Sequence, residues 1–135
     1  MNQETHLLAR RWFEEVWNER RRDTIFSLVD ASCSGHHEGE ETKGPAEVEA
    51  MRDRLLGMLP DLKVVIDDVI SDENDAVVRW RFTGTHTGAA GPLKPTNRAV
   101  SFAGMTWLKF RDGRIVEGWD NWNQAALLHQ LQAPV

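Results

Sequence analysis

The stretch AVSFAGMTWLKFRDGRIVEGWDNW, residues 99–122, predicts the architecture of the second half of the chain. Its two arms, residues 99–110 and 114–122, are rich in the β-branched and aromatic side chains that are typical of strands. The Arg-Asp-Gly sequence between the arms is a strong signal for a hairpin turn. We therefore expect an antiparallel strand pair here.

The register of this hairpin makes Asp120 a candidate functional residue. A three-residue turn pairs Phe110 with Arg114 and, further along, Gly104 with Asp120. In that register Asp120 shares a face of the sheet with the apolar residues Phe102, Leu108, Val116 and Trp122. Burial among apolar groups disfavours the charged form of a carboxylate, so Asp120 is a candidate acid or base. A two-residue turn would give Asp120 another neighbour, and a solvated or amide-bonded carboxylate near a strand end is the alternative.

The rest of the chain predicts helices first and strands afterwards. Residues 62–70 and 76–87 also have strand composition, and residues 87–97 are typical of a loop. Apolar residues at helical spacing predict helices over residues 4–18, 22–30, 44–59 and 124–131, while residues 31–43 fit a short strand or loop. This order is typical of an α+β fold in which a curved sheet wraps around a few helices and leaves a cone-shaped pocket.

Composition excludes several classes of protein. The chain has 135 residues, a net charge of -5 and one cysteine, Cys33. The length suits a single domain, residues 1–135, and the acidic balance disfavours nucleic acid as a partner. One cysteine excludes an internal disulfide framework, and no apolar run approaches the roughly 20 residues that span a membrane. We expect a soluble, cytoplasmic protein that does not bind membranes.

The histidines offer further candidate contacts. Adjacent strand residues face opposite ways, so at most one of His36 and His37 points into a pocket, and both could instead lie on a polar surface loop. His86 at a strand end could orient a substrate or tie down the following loop. No closely spaced metal-ligand motif is present, and we expect no metal.

The six tryptophans need burial. Trp12 and Trp17 fit a core or cavity wall, whereas the register above puts Trp80, Trp107 and Trp119 on the outer face of the sheet. An exposed aromatic row indicates burial against a second subunit. The chain lacks a phosphate-binding glycine motif, a Gly-x-Ser-x-Gly elbow and a dinucleotide fingerprint, which argues against nucleotide cofactors.

Several segments together resemble the SnoaL-like polyketide cyclase (ester cyclase) family, which belongs to the nuclear-transport-factor-2-like superfamily. They are EVWN at 15–18, the histidines at 36 and 37, GP at 44–45, LPDL at 59–62, RFTGTHTG at 81–88, PTNR at 95–98 and FRDGRIVEGWD at 110–120. Nearly the whole chain is covered. The resemblance implies a cone-shaped α+β barrel, an apolar pocket, a homodimer or higher oligomer, and no cofactor.

The resemblance also implies roles for individual residues. The aspartate that acts as acid and base in an aldol ring closure matches Asp120, and a substrate-contacting histidine matches His37 best, with His36 as the shifted alternative. Three positions depart from the pattern: Gly118, where a polar partner such as His is expected, Asn97 for a turn glycine, and Asn123 for a second Asp. The remaining candidate pocket residues are His86, Trp17, Phe102, Thr106, Trp122 and, only in the other hairpin register, Met105.

Our interpretation is a cofactor-independent enzyme that acts on an apolar small molecule. The alternatives are a binding protein for such a molecule, a hydrolase or hydroxylase on the same fold, and a purely structural dimerisation domain. An epoxide hydrolase would need an Asp-Arg-Asp set, of which Asp120 with Arg79 or Arg81 supplies only part. Because Arg79 and Arg81 alternate with aromatic residues, they fit a solvated outer face better than an anion site.

Overall fold

The computed structural model describes residues 3–89 and 94–132 and contains four α-helices and six β-strands within them. The helices are α1 (Gln3–Phe13), α2 (Arg22–Leu28), α3 (Gly44–Met58) and α4 (Gln124–Gln132). The strands are β1 (Val29–His37), β2 (Glu40–Lys43), β3 (Lys63–Ser71), β4 (Asp75–Thr85), β5 (Ala99–Arg111) and β6 (Arg114–Trp122). No helix of these described residues has the length and apolar character to cross a bilayer.

The first helix packs one face against the sheet and ends in a π-helical segment, Glu14–Asn18. Ala9, Trp12 and Phe13 are buried at helical spacing, and the π-helical segment buries Val16 and Trp17. The amide of Asn18 then bonds both the backbone N–H and the carbonyl of Val64 on β3, at 2.8 and 3.0 Å. The predicted helix over residues 4–18 is thus present, with a wider final turn that the sequence pattern did not indicate.

The six strands form one mixed sheet in the order β2-β1-β6-β5-β4-β3. Strands β1 and β6 are parallel, and every other neighbouring pair is antiparallel. The fold is the predicted cone-shaped α+β arrangement, although the sheet does not close into a barrel and keeps β2 and β3 as edges. The segment predicted as a short strand or loop, residues 31–43, forms most of the β1–β2 hairpin.

The β5–β6 hairpin corrects the predicted register. Asp112 and Gly113 both have positive φ, 53° and 77°, and form a two-residue turn instead of a three-residue one. A β-bulge then skips Val116, so that Asp120 pairs with Thr106 and not with Gly104. The turn and the bulge shift the register by one residue each, and the even total returns Asp120 to the predicted face.

The other predicted element boundaries agree with the structure to within about two residues. Helix α2 ends at Leu28, two residues before its predicted end, because β1 begins at Val29. The predicted loop over residues 87–97 lies partly outside the described residues. Within its described part, Asn97 has φ of 58°, the left-handed conformation that asparagine adopts more readily than most residues.

Candidate functional site

A cavity of about 430 Å³ lies between the inner face of the sheet and the helices. Its wall is mainly apolar, and seven aromatic side chains line it: Trp12, Phe13, Trp17, Trp80, Phe82, Phe102 and Trp122. The rings contact one another, with centroids 5.1 Å apart for Trp17 and Phe82 and 4.8 Å apart for Phe102 and Trp122. The predicted pocket residues Trp17, Phe102, Thr106 and Trp122 all lie in this wall.

Asp120 lies in the cavity wall and is held at both carboxylate oxygens. Its Oδ1 accepts a hydrogen bond from Thr106 Oγ1 at 2.5 Å, and its Oδ2 lies 2.5 Å from His37 Nδ1. The other ring nitrogen of His37, Nε2, lies 2.9 Å from Thr42 Oγ1. Behind Thr106, the indole N–H of Trp80 donates to its hydroxyl oxygen at 2.9 Å. We call these five residues, Trp80, Thr106, Asp120, His37 and Thr42, the inner network.

Glycines make room for the inner network. A Cβ at Gly35 would clash with Thr42 Oγ1 and would lie 2.6 Å from His37 Nε2. A Cβ at Gly104 would lie 2.6 Å from Trp122 Cβ and 2.7 Å from Trp80 Cζ2. Glycine is a weak strand residue, and in β-strands it often marks a close approach by another group. At Gly35 the approaching groups are side chains of the inner network, and at Gly104 they are the side chains of Trp122 and Trp80 and the backbone carbonyl of Asn121.

Gly118 is different, because its missing side chain leaves space in the cavity. The nearest atoms to a Cβ there are Leu108 Cδ2 at 3.4 Å and the Trp107 carbonyl oxygen at 3.6 Å, which are ordinary contacts. The polar partner of Asp120 expected at this position is supplied instead by Thr106 on β5 and His37 on β1.

Charged residues stand at the rim of the cavity. Arg54 on α3 donates to both carboxylate oxygens of Glu40 on β2, at 2.6 and 2.7 Å. Glu38 lies beside them and accepts from the backbone N–H of Trp122 at 3.3 Å. Arg79 and Arg81 lie on the outer face, so the Asp-Arg-Asp set of an epoxide hydrolase does not form around Asp120.

Cys33 also lines the cavity and is buried. Burial raises the pKa of its thiol to about 11, so that it stays protonated and behaves as a small apolar group at neutral pH. In residues 3–89 and 94–132, no three His, Cys, Asp or Glu side chains are grouped to hold a metal ion.

His36 lies on the outer face of the sheet and not in the cavity, because it alternates with His37 along β1. Its Nε2 is 2.8 Å from Glu117 Oε2 and its Nδ1 is 2.6 Å from Glu41 Oε2. The hydrogen bond to Glu117, helped by the charge of Glu41, raises the pKa of His36. The ring also stacks on Trp119, with centroids 5.4 Å apart. We call Glu41, His36 and Glu117 the outer cluster.

Two other predicted contacts and one tryptophan need correction. His86 is fully buried and does not lie in the cavity wall, and its Nδ1 accepts from the Thr96 backbone N–H at 3.2 Å, a contact that joins the end of β4 to the described part of the following loop. Met105 is 52% exposed on the outer face, because the net register shift is even. Trp80 is buried on the inner face and not the outer one, since it alternates with Arg79 and Arg81 and pairs with Gly104.

Sequence reasoning missed Thr42, Gly35 and Trp80 as parts of the site. Trp80 and Phe82 are two residues apart on β4, so the alternation of side chains along a strand places both on the same face. This pattern alone was enough to predict that Trp80 lies on the inner face. Gly39, with φ of 81°, lies in the tight turn between β1 and β2. A glycine in this place indicates a hairpin, and the hairpin is what brings Thr42 beside β1. The parallel pairing of β1 with β6, which brings His37 to Asp120, leaves no local signal.

Comparison with known proteins gives a consistent family match. The chain matches the family model described as SnoaL-like polyketide cyclase over residues 7–131. Among curated proteins, no sequence matches significantly.

Solved structures share the fold over almost the whole chain. A candidate SnoaL-like polyketide cyclase from Jannaschia sp. CCS1 has 21% identity and a TM-score of 0.89, covering 98% of this chain and 94% of its own. AclR, a candidate hydroxylase from Streptomyces galilaeus, has 26% identity and a TM-score of 0.84, covering 98% and 84%. IdmH, a candidate polyketide cyclase from Streptomyces antibioticus, has 21% identity and a TM-score of 0.80, covering 96% and 99%.

Proposed function

Because the chain belongs to the SnoaL-like polyketide cyclase family, we propose that it catalyses a cofactor-independent, acid/base ring closure of an apolar small molecule in the cytoplasm. The observation that carries the proposal is the Asp120 carboxylate, which lies in an aromatic cavity and is oriented at both oxygens by Thr106 and His37. A carboxylate held in this way has one geometry toward a bound substrate, which is what proton transfer from carbon requires.

The proposed reaction is an intramolecular aldol addition. Asp120 takes a proton from a carbon beside a carbonyl, and the electron pair of that C–H bond moves to the carbonyl oxygen to form an enolate. The enolate carbon attacks a second carbonyl of the same molecule, a C–C bond forms, and the resulting alkoxide receives the proton back from Asp120. Product and substrate are isomers, so no oxidant, reductant or co-reactant enters the balance.

The size and lining of the cavity support an aromatic or polycyclic substrate. Pockets of 300–1,000 Å³ hold ligands of drug-like size, and this one has about 430 Å³. Seven rings offer stacking surfaces to planar apolar ligands. The polar groups are confined to the inner network on one wall and to the rim, so a ligand with an apolar body and one reacting polar edge fits best.

The first half-reaction is testable without knowledge of the natural substrate. We would incubate the protein with 2-tetralone, a bicyclic ketone, in D₂O and follow loss of the proton signals beside the carbonyl by NMR. We expect exchange faster than the buffer rate, and a reduction of the protein-dependent rate by about 10²- to 10⁴-fold in Asp120→Asn. The asparagine amide still reaches Thr106 and His37, so the variant should stay folded.

The outcomes separate the proposal from a binding protein. If 2-tetralone quenches the tryptophan fluorescence of both proteins equally and neither accelerates exchange, the cavity binds and does not catalyse. If both proteins accelerate exchange equally, Asp120 is not the base. Either result rejects the proposed role of Asp120.

A hydroxylase is the second candidate, favoured by the 26% identity with AclR over most of both chains. Hydroxylation adds an oxygen atom from an outside oxidant, whereas ring closure leaves the mass of the molecule unchanged. Mass spectrometry of any product therefore distinguishes the two reactions directly.

We further propose that two copies of the chain associate through the outer face of the sheet. An apolar row crosses that face along consecutive register partners: Ile70, Val77, Trp107 and Trp119. Ile70 is 71% and Trp107 46% exposed, which is costly for side chains of this size in a monomer. A self-complementary apolar patch suits a second copy of the same surface.

Sedimentation equilibrium tests this association. We expect a dimer for the wild type and a monomer for Trp107→Lys, because a lysine charge would be buried at the interface. Leu7→Lys is the matched control, since Leu7 is 62% exposed on α1, away from the outer face. A monomeric wild type, or a Trp107→Lys protein that remains dimeric, overturns the proposed interface.

A further inference from the structure

We propose that Thr42 is a positioning residue of the site, which fixes the tautomer of His37 and thereby presents Asp120 as a carboxylate base. This inference rests on the proposed use of Asp120 in proton transfer. Thr42 reaches His37 and not Asp120, so it acts through the imidazole ring.

The argument starts at the far end of the inner network. An indole N–H can only donate a hydrogen bond, so Trp80 donates and the hydroxyl oxygen of Thr106 accepts. The hydroxyl hydrogen of Thr106 is then directed to Asp120 Oδ1. One oxygen of the carboxylate is therefore an acceptor, whatever happens at the other.

At the other end of the inner network, the hydrogen bonds also point toward Asp120. The Thr42 hydroxyl is buried, and among the described residues its hydrogen-bond partner is His37 Nε2. If that hydroxyl donates to Nε2, its hydrogen is used, and the single ring proton of a neutral His37 then lies on Nδ1 and is donated to Asp120 Oδ2. In the opposite tautomer Nε2–H would donate to Thr42, and the buried hydroxyl hydrogen would be left without that acceptor.

Both halves of the inner network therefore donate toward Asp120. Trp80 donates to Thr106 and Thr106 to Asp120, while Thr42 donates to His37 and His37 to Asp120. With a donor directed at each oxygen, the Asp120 side chain is held as an acceptor at both positions, which is the geometry of a carboxylate base. Thr42 supplies the last donor of this arrangement from the edge strand β2.

Gly35 shows that the local sequence is adapted to this contact. It pairs with Thr42 on β2 and with Gly118 on β6, in the middle of three paired strands where glycine is unfavourable. A Cβ at this position would lie 2.6 Å from His37 Nε2 and would also clash with Thr42 Oγ1. Only glycine leaves the path between the threonine hydroxyl and the imidazole open.

The test is a long-range ¹H–¹⁵N spectrum of the histidine side chains at neutral pH, without any substrate. For wild type we expect His37 with a protonated Nδ1 and an unprotonated Nε2. Thr42→Val keeps the shape and removes the hydroxyl donor to Nε2, so the His37 spectrum should change, either by a shift of the Nε2 resonance or by loss of the single-tautomer pattern. Thr42→Ser restores the hydroxyl and should restore the wild-type pattern, while His36, on the opposite face, should be unchanged throughout.

The deuterium exchange of 2-tetralone completes the test. We expect Thr42→Val to lower the protein-dependent rate about 10-fold or more, as misplacement of a catalytic group does, with rescue in Thr42→Ser. A wild-type His37 protonated at Nε2, or a folded Thr42→Val protein with an unchanged His37 spectrum, overturns the positioning role. Because the spectra need no substrate, they decide that role even if exchange fails and the proposed reaction is rejected.

Discussion

Two histidines that follow one another on β1 lie in opposite surroundings. His36 on the outer face lies between two carboxylates, those of Glu41 and Glu117, and its side chain is 34% exposed. His37 on the inner face lies between the carboxylate of Asp120 and the hydroxyl of Thr42, and its side chain is 13% exposed. Both rings bridge the same three strands, β2, β1 and β6.

The difference shows that partners and burial, not residue type, decide what each histidine can do. Two carboxylates require both ring nitrogens of His36 to donate, which favours the imidazolium and makes the outer cluster a charged tie between strands. His37 faces one carboxylate and one hydroxyl, and because a hydroxyl can donate as well as accept, the nitrogen that faces Thr42 needs no proton to form its hydrogen bond. The outer cluster therefore holds the sheet, while the inner network suits proton transfer.

Replacing the two histidines by glutamine, one at a time, is the most direct test of this difference. We expect His37→Gln to lower the deuterium exchange rate of 2-tetralone by about 10²-fold, because Asp120 loses the partner that fixes its Oδ2. His36→Gln should leave that rate unchanged, since the His36 ring contacts Glu41, Glu117 and Trp119, and none of these three lies in the cavity wall formed by the described residues. Equal losses in the two variants would mean that both rings act through the stability of the sheet.

The face on which each of these side chains lies could be predicted from the sequence. The partners that it meets there could not, because they come from distant parts of the chain. Strand alternation alone shows that His36 and His37 face opposite ways, and it places Asp120 on the inner face. That placement survived two register errors because a turn one residue shorter and a bulge at Val116 add up to an even shift. An odd total would have paired Asp120 with Met105 and placed these two side chains on the same face of the sheet.

What the sequence could not supply was the choice of partners. His37 and Asp120 are 83 residues apart, and they meet because β1 lies parallel to β6, a pairing that no local pattern signals. His86 shows the converse, because its neighbouring glycines and threonines were equally compatible with a loop anchor and a substrate contact. The hydrogen bond from Thr96, ten residues further along the chain, favours the anchor.

Two glycines of the same strands allow a second comparison between the inner network and its surroundings, with a smaller expected effect. Gly35 and Gly118 are direct register partners on β1 and β6, but only at Gly35 does the inner network fill the space of a side chain. We expect Gly35→Ala to lower the free energy of unfolding by about 1–3 kcal/mol, as overpacking does. Gly118→Ala fits without a clash and should be neutral or slightly stabilising, because alanine restricts the unfolded chain.

Urea unfolding of the two alanine variants measures this difference. The comparison is matched, because both variants add the same methyl group to adjacent strands at the same level of the sheet. Equal destabilisation would show that the strands resist any side chain there, and that the space at Gly35 is not reserved for the contact between Thr42 and His37.

The smallest expected effect concerns the pH dependence of the outer cluster. Because Glu117 and Glu41 raise the pKa of His36 in the folded protein above the unfolded value of about 6.5, protonated His36 stabilises the fold. That contribution is fully present below pH of about 6.5 and is lost as the pH rises through the folded pKa. The difference in unfolding free energy between wild type and His36→Gln should thus be larger at pH 6 than at pH 9.

High salt should reduce this difference in unfolding free energy, because the outer cluster is partly exposed and its charges are screened. A difference that does not change with pH would mean that His36 acts through its stacking on Trp119, whose contact does not depend on the charge of the carboxylates.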